Sequence, residues 1–308
     1  MTTIRPRGLT PSRPGRAGRC VAARLLLALL MLGALLGSGC AWLDERLRIA
    51  VFRPSSDVPA AFTGLAPGDE RLRVPAGNPR PDDQWVEMWW MPAADPGAPT
   101  LLYLHGTFRN LHHNHPKMQA IREAGFSVLG VEYRGWGNSS PLVPSEASIH
   151  ADAELGWREL VRRQPDPALR VIYGHSMGAA AAVELAARRS ETSGAADFGG
   201  LILESAFNRA TDVATAASFL ATPVGWFGGL GFESQARIGS VRAPVLMLHG
   251  SADDTVPIAL GRRLFDAAPA PRAFVAFEGG SHSRLHTDAA ERYRGVLATF
   301  AARVRSGR

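Results

Sequence analysis

Residues 170–178 read Arg-Val-Ile-Tyr-Gly-His-Ser-Met-Gly, and an alanine-rich run, Ala179–Ala182, comes directly after. Arg170–Tyr173 has the β-branched and aromatic content of a buried strand, and Ser176–Arg188 has helical composition. Between them lies Gly174-His175-Ser176-Met177-Gly178, a G-x-S-x-G turn. A strand that reverses into a helix this abruptly leaves room only for glycine at the flanking positions. The serine then stands at the apex, above the sheet and at the amino end of a helix, as a nucleophile requires. The alternative is a glycine-flanked turn whose serine merely caps the helix.

The same strand–turn–helix rhythm extends outward in both directions. Short strands are expected at Trp85–Met91, Leu101–His105, Phe126–Tyr133, Leu201–Glu204, Val245–His249 and Ala273–Phe277. Helices are expected at Met118–Ala124, Ser145–Arg163 and Ala289–Val304. Alternating strands and helices imply an α/β fold, with a mostly parallel central sheet and helices on both faces. Continuously apolar strands agree, because such a sheet is covered on both sides.

In an open parallel sheet, sites form beyond the carboxyl ends of the strands. Ser176, Asp253 and His282 all come after strands there, in that chain order. A serine hydroxyl needs a base within hydrogen-bond reach, and the base needs an acid to set its tautomer. His282, in a turn directly after the last strand, is favoured over His286 as that base. Asp253 is favoured over Asp254, for which capping of a helix near Val256-Pro257 is the alternative. An oxyanion would need two amide donors. Met177 is next after the nucleophile, and Thr107 lies in the loop after the Leu101–His105 strand.

The strings Leu-His-Gly-Thr (104–107), Glu-Tyr-Arg-Gly-Trp-Gly-Asn-Ser (132–139), Gly-His-Ser-Met-Gly and His-Gly-Ser-Ala-Asp-Asp-Thr-Val-Pro (249–257) resemble the α/β-hydrolase superfamily. They are most similar to its Bem46-like and dienelactone-hydrolase-like serine hydrolases, over residues 85–303. That resemblance implies the α/β-hydrolase fold, a Ser176–His282–Asp253 triad, no metal or cofactor, and hydrolysis of esters, thioesters or amides through an acyl-enzyme. Carboxylic ester hydrolysis is the leading expectation, on a small-molecule acyl substrate. A peptidase or amidase with the same triad, and a non-catalytic envelope binding protein on this scaffold, are the alternatives. Such folds carry a cap between the sixth strand and the acid-bearing strand. Residues 208–239, with Phe219, Leu220, Trp226, Phe227 and Phe232, are expected to form a small one at the site mouth, with core packing of those residues as the alternative.

Composition narrows the partners. The net charge is +6, but residues 1–39 hold six arginines and no acid, and removing these leaves 28 basic residues against 28 acidic ones. No basic face for nucleic acid is implied. Two cysteines, Cys20 and Cys40, exclude a disulfide scaffold or a cysteine-built zinc site. His112, His113 and His115, with His105, match no metal-site spacing and are expected on an exposed or cleft-lining loop. Trp85, Trp89 and Trp90 read as a strand packed on both faces, without interleaved basic residues. Arg134 reads as a structural anchor.

The amino terminus reads as an address. A basic stretch to Arg24, an apolar run Leu25–Leu36 and Gly37-Ser38-Gly39 make a secretory signal over residues 1–39. The apolar run is shorter than the roughly 20 residues that span a bilayer. Cys40 after the small residues resembles the lipobox of bacterial lipoproteins. It departs from that pattern in having Gly37 where leucine is usual. The resemblance implies lipidation of Cys40, export, and tethering to a membrane, with Ala41 pointing to the outer one. Residues 40–84 are then a tether and approach segment of little periodicity, and residues 85–308 the hydrolase domain.

Overall fold

The computed structural model describes residues 42–77, 84–193, 197–217 and 231–307. The expected signal segment and Cys40 lie outside the described residues, as does 218–230 of the expected cap. The chain divides into residues 1–46 and residues 47–308. Of the first unit, residues 42–46 are described, and they are helical. Among the described residues, no helix is long and apolar enough to cross a membrane.

The second unit is built on eight strands: β1 (Glu70–Pro75), β2 (Trp85–Met91), β3 (Thr100–Leu104), β4 (Ser127–Glu132), β5 (Arg170–His175), β6 (Gly200–Glu204), β7 (Val245–Gly250) and β8 (Arg272–Phe277). They lie in the order β1-β2-β4-β3-β5-β6-β7-β8. β2 runs antiparallel to both its neighbours, β1 and β4, and the remaining pairs are parallel. Every residue of β3 to β7 is buried. Leu102, Leu104, Val131, Ile172 and Leu203 pack in one apolar layer, and Leu101, Tyr103, Val128, Val171 and Ile202 in the other. These two layers result from period-2 side chains on strands that helices cover on both faces. Truncating one such leucine to alanine costs about 2–5 kcal/mol.

Two departures from the sequence reading have local causes. The approach segment contributes β1, which pairs with β2 and sets Arg71 opposite Trp89. Arg73 sits 3.5 Å over the Trp85 ring and Arg71 5.2 Å over that of Trp89. The basic partners of Trp85 and Trp89 thus come from the neighbouring strand, invisible along β2 itself. The helix expected from Met118 begins instead at Leu111 and runs to Glu123, capped by Asn110 and carrying Pro116 inside. That proline obscured its first turns.

His112, His113 and His115 are therefore on this helix rather than on a loop. His112 packs edge-on to Trp89 at 4.9 Å, His113 Nδ1 meets Asn110 Oδ1 at 2.8 Å, and His115 Nε2 meets Gln119 at 3.1 Å. Among the described residues, no group of three His, Cys, Asp or Glu is arranged to hold a metal ion. Arg134 grips the buried Asp152 through Nε at 2.8 Å and reaches Gln84 at 2.5 Å.

Candidate active site

Ser176 joins β5 to the helix Met177–Ser193 with a φ of +54°, the left-handed region that a non-glycine residue rarely adopts. Two bonds hold it there. Its N–H donates to Glu204 O at 2.9 Å, and its carbonyl accepts from Ala179 N–H at 2.8 Å. The flanking glycines are required by contact. A Cβ at Gly174 would strike the Gly178 carbonyl and the Ala179 backbone, and one at Gly178 would strike the Leu104 and His105 carbonyls. The sharp turn is thus possible only with hydrogen in both places, and it lifts the serine above the sheet edge.

His282 and Asp253 arrive from the loops after β8 and β7. His282 Nε2 lies 3.0 Å from Ser176 Oγ, and His282 Nδ1 lies 2.8 Å from Asp253 Oδ2. The carboxylate can only accept from Nδ1–H, so Nε2 is free to accept from the hydroxyl. Asp253 Oδ1 also accepts from the N–H groups of Val256 at 2.8 Å and Thr255 at 3.1 Å. Burial pushes the Asp253 carboxyl upward, but hydrogen bonds from His249, His282 and Val256 outweigh it and hold the group well below the ordinary range. Asp253 is a fixed anion beside the imidazole. This line of groups can take a proton from a hydroxyl and stabilise the imidazolium that results.

The rival residues go elsewhere. Asp254 lines the cleft and accepts from Thr255 Oγ1 at 3.3 Å. It caps nothing, since the helix Ile258–Ala267 starts from Pro257 with no side-chain cap. His286 faces Tyr293 at 6.4 Å, and burial first, then the Lys117 charge, push it down to about 4.

The serine and histidine open on a cleft of about 280 Å³, whose walls include Thr107, Phe108, Arg109 and Arg284. Met177 is the first residue of its helix, where backbone N–H groups point outward and the helix dipole favours negative charge. Among the described residues, neither the Met177 nor the Thr107 N–H donates to another backbone group. No described residue of 208–239 lines the cleft. Phe232, expected at its mouth, is instead buried against Phe52 and His150. For this residue that is the core packing set against the lid.

Sequence reasoning missed the groups beneath the site. The His282 carbonyl accepts from Ser205 Oγ at 2.9 Å and from His175 Nε2 at 3.1 Å. Burial, then the Lys117 charge, hold the His175 imidazole well below its usual range, so this donor is neutral. Lys117 Nζ meets Glu204 Oε1 at 2.5 Å, and Tyr293 OH donates to Glu204 Oε2 at 3.0 Å. Burial disfavours the Glu204 anion, yet the Lys117 charge prevails and holds the carboxyl at about 2. One signal was present: His175 is the variable residue inside G-x-S-x-G.

Known proteins resemble this chain in sequence and fold. Residues 98–230 match the family described as serine aminopeptidase, S33. An uncharacterised protein of Mycobacterium tuberculosis is 31% identical over 262 residues, which cover 83% of this chain and 88% of that protein. The lysophosphatidylserine lipase ABHD12 of Danio rerio is 30% identical over 209 residues, covering 63% of this chain and 54% of the lipase, so the chain spans about half of that relative. An α/β hydrolase from Vibrio vulnificus superposes with a TM-score of 0.64 at 18% identity, covering 82% of this chain and 92% of that one. Sheet order, elbow and relatives agree, and the chain belongs to the α/β-hydrolase superfamily and is a hydrolase.

Proposed function

We propose that the protein cleaves carboxylic esters through a covalent acyl-enzyme. The observation that carries this reading is the unbroken line from Ser176 Oγ through His282 to Asp253, at 3.0 and 2.8 Å. Ser176 Oγ attacks the acyl carbonyl while His282 Nε2 takes its proton. The Met177 and Thr107 amides receive the oxyanion. His282 then protonates the departing alcohol oxygen, and the C–O bond breaks. Water, activated by the same imidazole, attacks the acyl-serine, releases the acid and restores the hydroxyl.

An ester is favoured over a peptide by the cleft walls. Recognition of a peptide amino terminus calls for acidic partners, and Asp254 is the one acid among the described lining residues. The relative from Danio rerio is named as a lysophosphatidylserine lipase, which points the same way. A purely binding role does not account for a complete proton path on a strained serine. The test is turnover of matched p-nitrophenyl butyrate and aminoacyl p-nitroanilide by the full chain and by Ser176→Ala. Ester turnover that falls by about a million-fold in the variant supports the reading. Ester turnover retained there, or a preference for the anilide, overturns it.

The address at the amino terminus belongs to the same proposal. Export, lipidation of Cys40 and tethering to the outer membrane would place the cleft beside a lipid surface, where acyl esters are plentiful.

A further inference from the structure

His249 is almost wholly buried at the end of β7, four residues before Asp253. The proton path of the proposed reaction does not pass through it. Its Nε2 lies 2.9 Å from Val256 O and 3.3 Å from Asp253 Oδ2. A carbonyl oxygen only accepts, so the Nε2 atom carries the hydrogen and its N–H is shared between the carbonyl and the carboxylate. The ring itself is held. Phe274 stacks on it with planes 13° apart, and Gly261 closes in on its other nitrogen so tightly that a Cβ there would overlap the imidazole.

A closed circuit results. The Val256 N–H fixes Asp253 Oδ1 at 2.8 Å, the Val256 carbonyl is fixed by His249, and the same His249 N–H reaches Oδ2. Both carboxylate oxygens, which His282 Nδ1 faces at 3.0 Å (Oδ1) and 2.8 Å (Oδ2), are thereby tied to groups other than His282 as well. The carboxylate plane is held against turning, and its two oxygens stay facing His282 Nδ1.

We propose that His249 is a positioning residue, which clips the loop 250–256 and locks the Asp253 carboxylate in the plane that His282 needs. This rests on the reading of Ser176, His282 and Asp253 as the reacting line. Leucine at 249 keeps the bulk and loses the N–H. Glutamine places an amide N–H close to the position of Nε2.

The full chain is assayed with p-nitrophenyl butyrate as wild type, Ser176→Ala, His249→Leu and His249→Gln. His249→Leu is expected to lower kcat about 10- to 100-fold, the rate equivalent of one hydrogen bond to a charged group, with KM unchanged. The acid limb of its kcat/KM profile moves to lower pH, because a misaligned carboxylate stabilises the His282 imidazolium less. His249→Gln recovers most of kcat and returns the limb. A leucine variant equal to wild type overturns the inference, and so does equal loss in both variants. Retained activity in Ser176→Ala instead overturns the underlying reading. Nitrogen-15 NMR of the wild-type histidines provides a test that needs no variant to fold. The Nε2–H tautomer is expected at His249, and a ring protonated at Nδ1 alone overturns the inference.

Discussion

Lys117 and Glu204 form an ion pair with both side chains almost completely buried, and the pair lies one imidazole away from the backbone of His282. His175 is the link, with Nε2 at 4.0 Å from Glu204 Oε1 and 3.1 Å from the His282 carbonyl. The two partners respond differently to burial. Desolvation lowers the Lys117 ammonium, whereas the Lys117 charge more than offsets desolvation at Glu204. The pair is favourable for the acid and costly for the base, so its value lies in both being present. Lys117→Met is expected to destabilise the protein by about 3–5 kcal/mol, because it strands a buried carboxylate. Adding Glu204→Gln should recover part of that loss. Urea denaturation of the single and double variants measures it, and a double variant weaker than the single one would contradict the argument.

Asp253→Asn should keep the loop but present the wrong hydrogen-bonding partner to Nδ1. A loss in kcat of about ten-thousand-fold is expected, comparable to the equivalent change in other serine hydrolases. Asp254→Asn should cost less than about tenfold, since its carboxylate does not touch His282. Steady-state kinetics on one ester decides between them, and reversed magnitudes would transfer the acid to Asp254.

Gly178→Ala adds one methyl where the Leu104 and His105 carbonyls already stand. The elbow must open to admit it. Destabilisation by at least about 2 kcal/mol is expected, together with loss of fluorophosphonate labelling at Ser176. Labelling at the wild-type rate would show that the turn tolerates a side chain.

Burial raises the Asp152 carboxyl to about 6 despite its bonds to Arg134. A folded-state value above the unfolded one means that the folded protein binds the extra proton. Stability from this group is therefore present below about pH 4 and is lost as pH rises through 6. Between pH 4 and 7 wild type should lose on the order of 2–3 kcal/mol relative to Asp152→Asn. Glu204 acts in the opposite sense at lower pH. Its stabilisation is present above pH 4.5 and is lost as pH falls toward 2. Urea midpoints across this range test both signs, and parallel curves for wild type and Asp152→Asn would remove the first.

Cys40→Ser should release the protein from the membrane fraction or leave its signal segment uncleaved. Palmitate labelling of cells reports the lipid directly. Incorporation unchanged in the variant would place the lipid elsewhere or show that no lipobox operates.

The sequence alone determined the parallel sheet, the elbow at Ser176 and the placing of Ser176, Asp253 and His282 after three of its strands. Those features are written in short-range periodicity, in glycines that only a tight turn needs, and in the residues directly after each strand. Tertiary structure decided which neighbours meet, since Asp253 rather than Asp254 reaches His282, and His282 rather than His286 reaches Ser176, because a single residue's step changes which way a loop side chain faces. It also decided what no local window holds: β1 beside β2, the histidines packed on a helix, and Lys117 against Glu204. Charges 87 residues apart meet only once sheet register and helix packing have fixed the distance between them. That distance is a property of the assembled core, not of either segment.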